Sequence, residues 1–224
     1  SKDISDHIKK AIKSNKSKKK FYNESYNFLT GGNNFFYYED KFGRLKLPLP
    51  NILGQFQLEN ISTAIATLRL LNINIKNNDI KNGILKIENV ARLQEINSGK
   101  LKEIVKNNRL IIDGSHNEDG TRALNEYLQT LDCNKHVIVG MMANKNHENY
   151  ISHFKDISSL ITIDIPGQLN SISGKDLKEK FKNIPIVQYK ESIEQAIESL
   201  QLKENDLVII TGSLYLAGEM LNLN

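Results

Sequence analysis

Between Leu110 and the C-terminus, short apolar runs alternate with stretches in which apolar residues recur at helical spacing. That alternation predicts an α/β fold, a doubly wound, mostly parallel Rossmann-like sheet with crossover helices. Strands are expected at residues 110–112, 137–141, 160–164, 186–188 and 207–211. They are mostly apolar, as strands covered on both faces must be. Between the first two, Ala123, Leu124, Tyr127, Leu128 and Leu131 mark a helix, and Ser173 with Asp176 reads as a capping-box-like helix start.

The first part of the chain has another rhythm. Phe35-Phe36-Tyr37-Tyr38 and residues 45–49 predict strands around a turn at residues 39–43, and Pro48 and Pro50 are sheet-edge signals. Residues 60–71 then predict a helix with Ile61, Ala64, Ile65, Leu68 and Leu71 on one face, followed by a short helix at residues 78–87. The segment from Glu88 to Arg92 reads as a hinge, dividing the chain into residues 1–88 and 89–224. No internal repeat is visible.

Composition narrows the function classes. With 224 residues and 39% hydrophobic content, the chain can bury one good core or two smaller ones. Much of the formal charge of +4 comes from the stretch between Lys9 and Lys20, where Lys16, Lys18, Lys19 and Lys20 sit among Ser14, Asn15 and Ser17 without interleaved aromatics. A solvated segment is expected there, and no nucleic-acid partner. The single cysteine, Cys133, rules out an internal disulfide and any multi-cysteine zinc site. No apolar run approaches the roughly 18 residues of a membrane span, and no secretory signal opens the chain, so no membrane partner and a cytoplasmic location are expected. Ser1 and the charged, helix-like stretch after it suggest the later part of a longer protein.

The candidate chemistry lies where strands end. In Leu110-Ile111-Ile112-Asp113-Gly114-Ser115-His116-Asn117 an apolar strand stops at polar groups just before a helix. Open α/β sheets bind ligands at such junctions, because the helix start offers N–H groups and positive dipole character. Asp113 could accept from ribose hydroxyls, and His116 and Asn117 could reach a phosphate or a metal-bound water. An ordinary turn with Asn117 or Asp119 capping the helix accounts for the same residues. Thr211-Gly212-Ser213 repeats the arrangement, with Thr211 and Ser213 as carboxylate ligands or Ser213 as a plain cap. Lys145, in the loop after a third strand, either neutralises phosphate or is an exposed lysine. Asn60, read as a helix start, either caps that helix or pairs with an adenine edge. Arg92 either grips phosphate bidentately or forms a salt bridge between domains.

Several chemistries are excluded. Ser173-Gly174-Lys175-Asp176 lacks the glycine spacing of a phosphate loop, and there is no Walker motif. The five histidines show no zinc-type pairing, and there is no nucleophile elbow. A hydrolase using Asp113 and His116 would lack a nucleophile or metal cluster, while a noncatalytic nucleotide-binding module remains an alternative.

Taken in order, these segments resemble the C-terminal half of the bifunctional dihydrofolate synthase/folylpolyglutamate synthases, members of the Mur ligase superfamily. The resemblance rests on Leu47-Pro48-Leu49-Pro50 with Gly54-Gln55-Phe56-Gln57 and Asn60, on Ala91-Arg92-Leu93-Gln94, and on Asp113-Gly114-Ser115-His116-Asn117. Gly140-Met141-Met142 and the run from Gly212 to Glu219 extend it, so that it covers most of the chain from about Phe35. It departs from the family's pattern at Phe56 in place of histidine, at Glu118 in place of proline, and at Asn144-Lys145-Asn146 in place of an acidic loop.

The resemblance implies that residues 1–88 are the end of a central ATP-binding domain and residues 89–224 a glutamate ligase domain. It implies ATP contacts by Asn60 to adenine, Arg92 to phosphate and Asp113 to ribose, a catalytic role for His116, and Ser213 facing the incoming glutamate. The implied reaction activates a pteroate or folyl carboxylate as an acyl phosphate, using ATP and Mg²⁺, and L-glutamate then attacks. The implied small-molecule partners are ATP, L-glutamate and dihydropteroate or folates, with a monomeric full-length enzyme. The family's phosphate loop and most of its Mg²⁺ ligands lie in an earlier part, so this chain alone is expected to hold no complete metal site and to be inactive. A ligase of peptidoglycan precursors is the alternative within the superfamily.

Overall fold

The structure, a computed structural model, describes residues 2–13, 19–32, 34–71, 73–181, 184 and 186–224. Lys16, Lys18 and their neighbours Ser14, Asn15 and Ser17 lie outside the described residues. The chain divides into two compact units, one of residues 1–51 and 55–87 and one of residues 52–54 and 88–224.

In the first unit, α1 (Lys2–Lys13) precedes an antiparallel sheet of β1 (Tyr26–Thr30), β2 (Phe35–Asp40) and β3 (Gly43–Pro48). The period-2 pattern works as expected for a sheet with one covered face: Tyr26, Phe36, Tyr38 and Leu47 are buried while Arg44 and Lys46 are exposed. Helix α2 (Phe56–Leu68) packs on β1, burying Leu58, Ile61, Ile65 and Ala66, and α3 (Asn77–Leu85) follows. Asp40 ties these layers together, accepting from Tyr38 Oη at 3.1 Å, the Phe42 N–H at 2.8 Å and Arg69 Nη1 at 2.6 Å.

Helix α2 starts four residues before the expected position, which corrects the reading of Asn60 as a helix start. Gly54, with φ of +94°, breaks the preceding chain, and Gln55 is the cap residue. The apolar periodicity hid the first turn because its buried positions include Gln57, a polar residue only 2% exposed.

The second unit contains β4 (Gln94–Glu95), α4 (Lys100–Val105), β5 (Arg109–Asp113), α5 (Glu118–Gln129), β6 (Lys135–Val139), α6 (His147–Ser152), β7 (Ser159–Ile163), α7 (Gly174–Lys180), β8 (Val187–Lys190), α8 (Ile193–Glu198), β9 (Leu207–Thr211) and α9 (Leu214–Leu223). Among the described residues the strands form one sheet in the order β4-β5-β9-β6-β7-β8, parallel except for β4. This is the expected α/β Rossmann-like fold.

Both faces of that sheet are covered, which is why its strands read as continuous apolar runs. Leu110, Ile112, Ile138, Val208 and Ile210 join Leu101, Val105, Ile193, Ile197, Leu216 and Met220 in one core, with α4, α8 and α9. The alternate residues Ile111, Val137, Val139 and Ile209 are fully buried on the other face, where Tyr150 of α6 reaches Thr211. Strand β6 begins two residues earlier than its apolar run, because Lys135 and His136 are polar yet buried.

The chain passes from β5 over β9 to β6 and returns from β8 to place β9 between them. The strand order therefore switches around β9, and loops leaving β5 and β6 diverge there. At the opposite edge Asp206 locks the strand starts. It accepts from the Lys203 N–H at 2.8 Å, Asn134 Nδ2 at 2.8 Å and His136 Nε2 at 3.0 Å.

Two outcomes follow for stability. Ile210→Ala, in the central strand and fully buried, should cost about 2–5 kcal/mol in urea unfolding, whereas Leu169→Ala, fully exposed, should change stability by less than about 0.5 kcal/mol. Burial raises the Asp206 carboxyl pKa, but its hydrogen bonds from Lys203, Asn134 and His136 more than offset this and hold it below the usual range. A carboxyl depressed in the folded state adds stability above its unfolded pKa, near 4, and loses it as pH falls through the folded value. The acid limb of stability against pH should therefore be shallower in Asp206→Asn, measured by urea midpoints from pH 6 to pH 2.

Candidate active site at the strand switch

The site is built around a turn that local sequence alone would not favour. Ala91 and Leu93 both sit in the left-handed region, with φ of 56° and 48°, and both are almost fully buried. Each such residue costs of order 1 kcal/mol. Asp113, the last residue of β5, holds the turn in place: its Oδ2 accepts from the Leu93 N–H and its Oδ1 from the Ser115 N–H, each at 2.9 Å. The Gly114 N–H donates to the Ala91 carbonyl at 2.7 Å, and the Ala91 N–H to Gln94 Oε1 at 2.9 Å.

Between the two left-handed residues stands Arg92, half-buried. Its Nη1 lies 2.9 Å from where a β-carbon on Gly114 would sit, and that β-carbon would also meet Leu214 Cδ2 at 2.3 Å. Only glycine lets the guanidinium and α9 come this close to the strand end. His116 Nδ1 is 2.9 Å from the Gly114 carbonyl oxygen. A carbonyl only accepts, so Nδ1 carries the hydrogen and, in the neutral ring, Nε2 is the acceptor.

The exit of β9 is fastened to the same place. The Gly212 N–H donates to the Ser115 carbonyl at 3.1 Å, and the Gly140 N–H to the Thr211 carbonyl at 3.2 Å. Gly212 has φ of +107°, and a β-carbon there would meet the Gly140 carbonyl oxygen at 2.6 Å. Ser213 is 2% exposed and caps α9, its Oγ accepting from the Tyr215 N–H at 3.1 Å. The hydroxyl of Thr211 is committed to Tyr150 Oη at 2.9 Å, where burial pushes the phenol pKa up.

The two helix starts differ electrostatically. Asn117 caps α5 through the Gly120 N–H at 2.9 Å, and Glu118 and Asp119 put negative charge in its first turn. Helix α9 carries no acidic residue in its first turn, so it is the better end for an anion. Beside it opens a cavity of about 650 Å³ lined by Met142, Asn144, Lys145, Leu169, Ser171 and Tyr215 among others. Lys145 brings the only charge to that lining among the described residues.

The structure thus gathers Arg92, Asp113, His116 and Ser213 at one edge of one unit. Asn60 lies in the other unit, exposed, as the fifth residue of α2, with its amide donating to Gln57 Oε1 at 3.1 Å. Sequence reasoning missed Leu169, Ser171 and Tyr215 as cavity residues. Tyr215 alone had a signal, directly after a strand, a turn and a cap. Among the described residues no three His, Cys, Asp or Glu side chains converge as a metal site would require, and no helix is long and apolar enough to cross a membrane.

Residues 100–214 match the family model described as Mur ligase, glutamate ligase domain. The chain belongs to the Mur ligase family, of which it carries the C-terminal, folylpolyglutamate/dihydrofolate synthase-type part. It is 27% identical over 197 residues to a folylpolyglutamate synthase of Lacticaseibacillus casei, covering 84% of this chain and 43% of that protein. It superposes on E. coli FolC in complex with ADP with a TM-score of 0.82, at 21% identity over 96% of this chain and 50% of that one. It also superposes on a Yersinia pestis bifunctional folylpolyglutamate synthase/dihydrofolate synthase with Mn, AMPPNP and L-glutamate bound, with a TM-score of 0.78 at 20% identity, covering 96% of this chain and 50% of that one. The chain spans half or less of the length of these relatives.

Replacing Asp113 by Ala leaves two buried N–H groups unpaired at a turn that already carries strain. The expected loss is about 2–4 kcal/mol of stability, read from urea unfolding. A loss below about 0.5 kcal/mol would mean that the turn holds itself.

Proposed function

We propose that this chain is the glutamate-ligase part of an enzyme that uses ATP to join L-glutamate to dihydropteroate and to folyl(poly)glutamate through an acyl phosphate, in the cytoplasm. One observation carries the reading: the Arg92 guanidinium and the His116 ring both border Gly114 at the strand switch, on the two segments that the Asp113 carboxylate fastens. Family membership and the ligands of the similar structures, ADP in one and AMPPNP, Mn and L-glutamate in another, support it.

In this reading Arg92 neutralises phosphate charge as transfer proceeds, the kind of electrostatic positioning that supplies most of the rate in such reactions. His116 offers Nε2 to a proton on the attacking amine or to the reacting group. Asp113 acts chiefly by orienting both, since each of its oxygens already accepts a backbone N–H. A ribose contact by Asp113 would use its remaining lone pairs. Ser213 shapes the α9 start, and the glutamate carboxylates are met by that helix end and by Lys145 in the neighbouring cavity. In the first unit, taken by itself, Asn60 is exposed on α2 and is proposed as a contact for adenine.

The ATP phosphates fit this edge; the divalent ion does not, because the described residues offer it no cluster of donors. In the proposed reading the metal's ligands and a phosphate-cradling loop belong to another part of the ligase, and this chain by itself is proposed to perform no ligation. In the complete ligase, Arg92→Ala should lower kcat/KM for ATP by about 10- to 100-fold, the worth of one or two charge-assisted hydrogen bonds, with the melting temperature unchanged. Unchanged kinetics would reject the phosphate role. Turnover with dihydropteroate or folates, and none with muramyl substrates, is the expected substrate pattern; the reverse would move the chain to the peptidoglycan branch.

A further inference from the structure

A second group of interacting side chains lies at the other edge of the sheet, among the strand starts. Ser159 opens β7, His136 is the second residue of β6 and its register partner, and Asp206 immediately precedes β9. His136 Nδ1 is 2.8 Å from Ser159 Oγ, and its Nε2 is 3.0 Å from Asp206 Oδ2. Asp206 is 2% exposed and His136 9%, while Ser159 is partly open to solvent.

The direction of these bonds follows from chemistry. An ionised carboxylate only accepts, so Nε2 carries the imidazole hydrogen and donates to Asp206. In the neutral ring Nδ1 is then the acceptor, and Ser159 must be the donor. The hydroxyl thus points its proton at a base whose opposite nitrogen is anchored by a buried carboxylate, the order of roles that activates a serine. Asp206 does not need this chain of bonds for its own satisfaction, since Asn134 and the Lys203 N–H already donate to it.

His136 and Ser159 also line a cavity of about 300 Å³ with Ile186, Gln188, Leu200 and Gln201. No Lys, Arg, Asp or Glu lines it among the described residues, so it suits an uncharged ligand with a small apolar part. Gln188 and Gln201 are the residues of that lining whose side chains carry amide N–H groups, the kind of donor a developing oxyanion requires.

We propose that Ser159, His136 and Asp206 form a second site in which Ser159 is an activated nucleophile toward small, uncharged carboxylic esters. Ser159 Oγ bonds to the ester carbonyl carbon while its proton passes to His136 Nδ1, and Asp206 stabilises the imidazolium through Nε2–H. The carbon–oxygen bond to the alcohol then breaks, and the alcohol leaves with the proton from Nδ1. Water, deprotonated by the same nitrogen, releases the carboxylic acid and restores Ser159. This chemistry uses no residue of the ligase site.

The test treats the 224-residue chain with a fluorophosphonate probe and with p-nitrophenyl acetate, and maps the modified peptide by mass spectrometry. The expected result is stoichiometric label on Ser159 in native buffer and none in urea, with ester hydrolysis slowing on acidification. Ser159→Ala and His136→Asn should each lower hydrolysis at least tenfold with unchanged circular dichroism. Because native-versus-urea labelling needs no variant, the test survives a variant that fails to fold. No label at Ser159 in the folded chain, label elsewhere only, or hydrolysis unaffected by Ser159→Ala would overturn the proposal.

Discussion

The carboxylate of Asp113 is the contact on which the candidate ligase site rests. It accepts one backbone N–H from the turn at Leu93 and one from the start of its own loop at Ser115, and it is nearly sealed from solvent. Without it, two left-handed non-glycine residues in three would have no reason to persist, and relaxation of that turn would swing Arg92 away from Gly114. The clamp converts strain into orientation: a cation with large rotamer freedom is presented on a backbone that has little.

The same economy of space governs the neighbouring strand exits. Gly114, Gly140 and Gly212 bring the ends of β5, β6 and β9 so close that hydrogen bonds run between their loops. Thr211 and Ser213 look like ligand-binding hydroxyls; Thr211 is engaged with Tyr150, while Ser213 accepts from the α9 cap and keeps its O–H to donate. For ligands the edge offers that hydroxyl, a guanidinium, an imidazole nitrogen, a helix end free of acidic charge and Lys145 over a cavity. That set suits anions, and it is the electrostatic share this chain brings to the proposed ligase reaction.

Much of the fold is readable from periodicity alone. The β5 and β9 runs stand out because both faces are covered, and the helix through Leu124 and Leu128 because its apolar stripe is clean. Strand β4 escapes notice because it is two polar residues held by pairing with Ile111 and Ile112. The first turn of α2 escapes because buried Gln57 interrupts the stripe. At the site, the positions of Asp113, Gly114 and His116 follow from the strand–turn–helix motif. The clamp on Leu93 does not, since it joins residues twenty apart in sequence. Nor does the cluster of Ser159, His136 and Asp206, whose members are separated by 23 and 70 positions and meet only through sheet order.

The most direct test of the central claim is amide hydrogen exchange at Leu93 and Ser115 in the nucleotide-free protein, read residue by residue by NMR. If Asp113 pre-forms the turn, both amides should be protected before any nucleotide is added, and protection should vanish at both in Asp113→Ala, which removes both acceptor oxygens. Fast exchange that slows only after ATP is added would contradict the account, because the ligand and not the carboxylate would then be building the site.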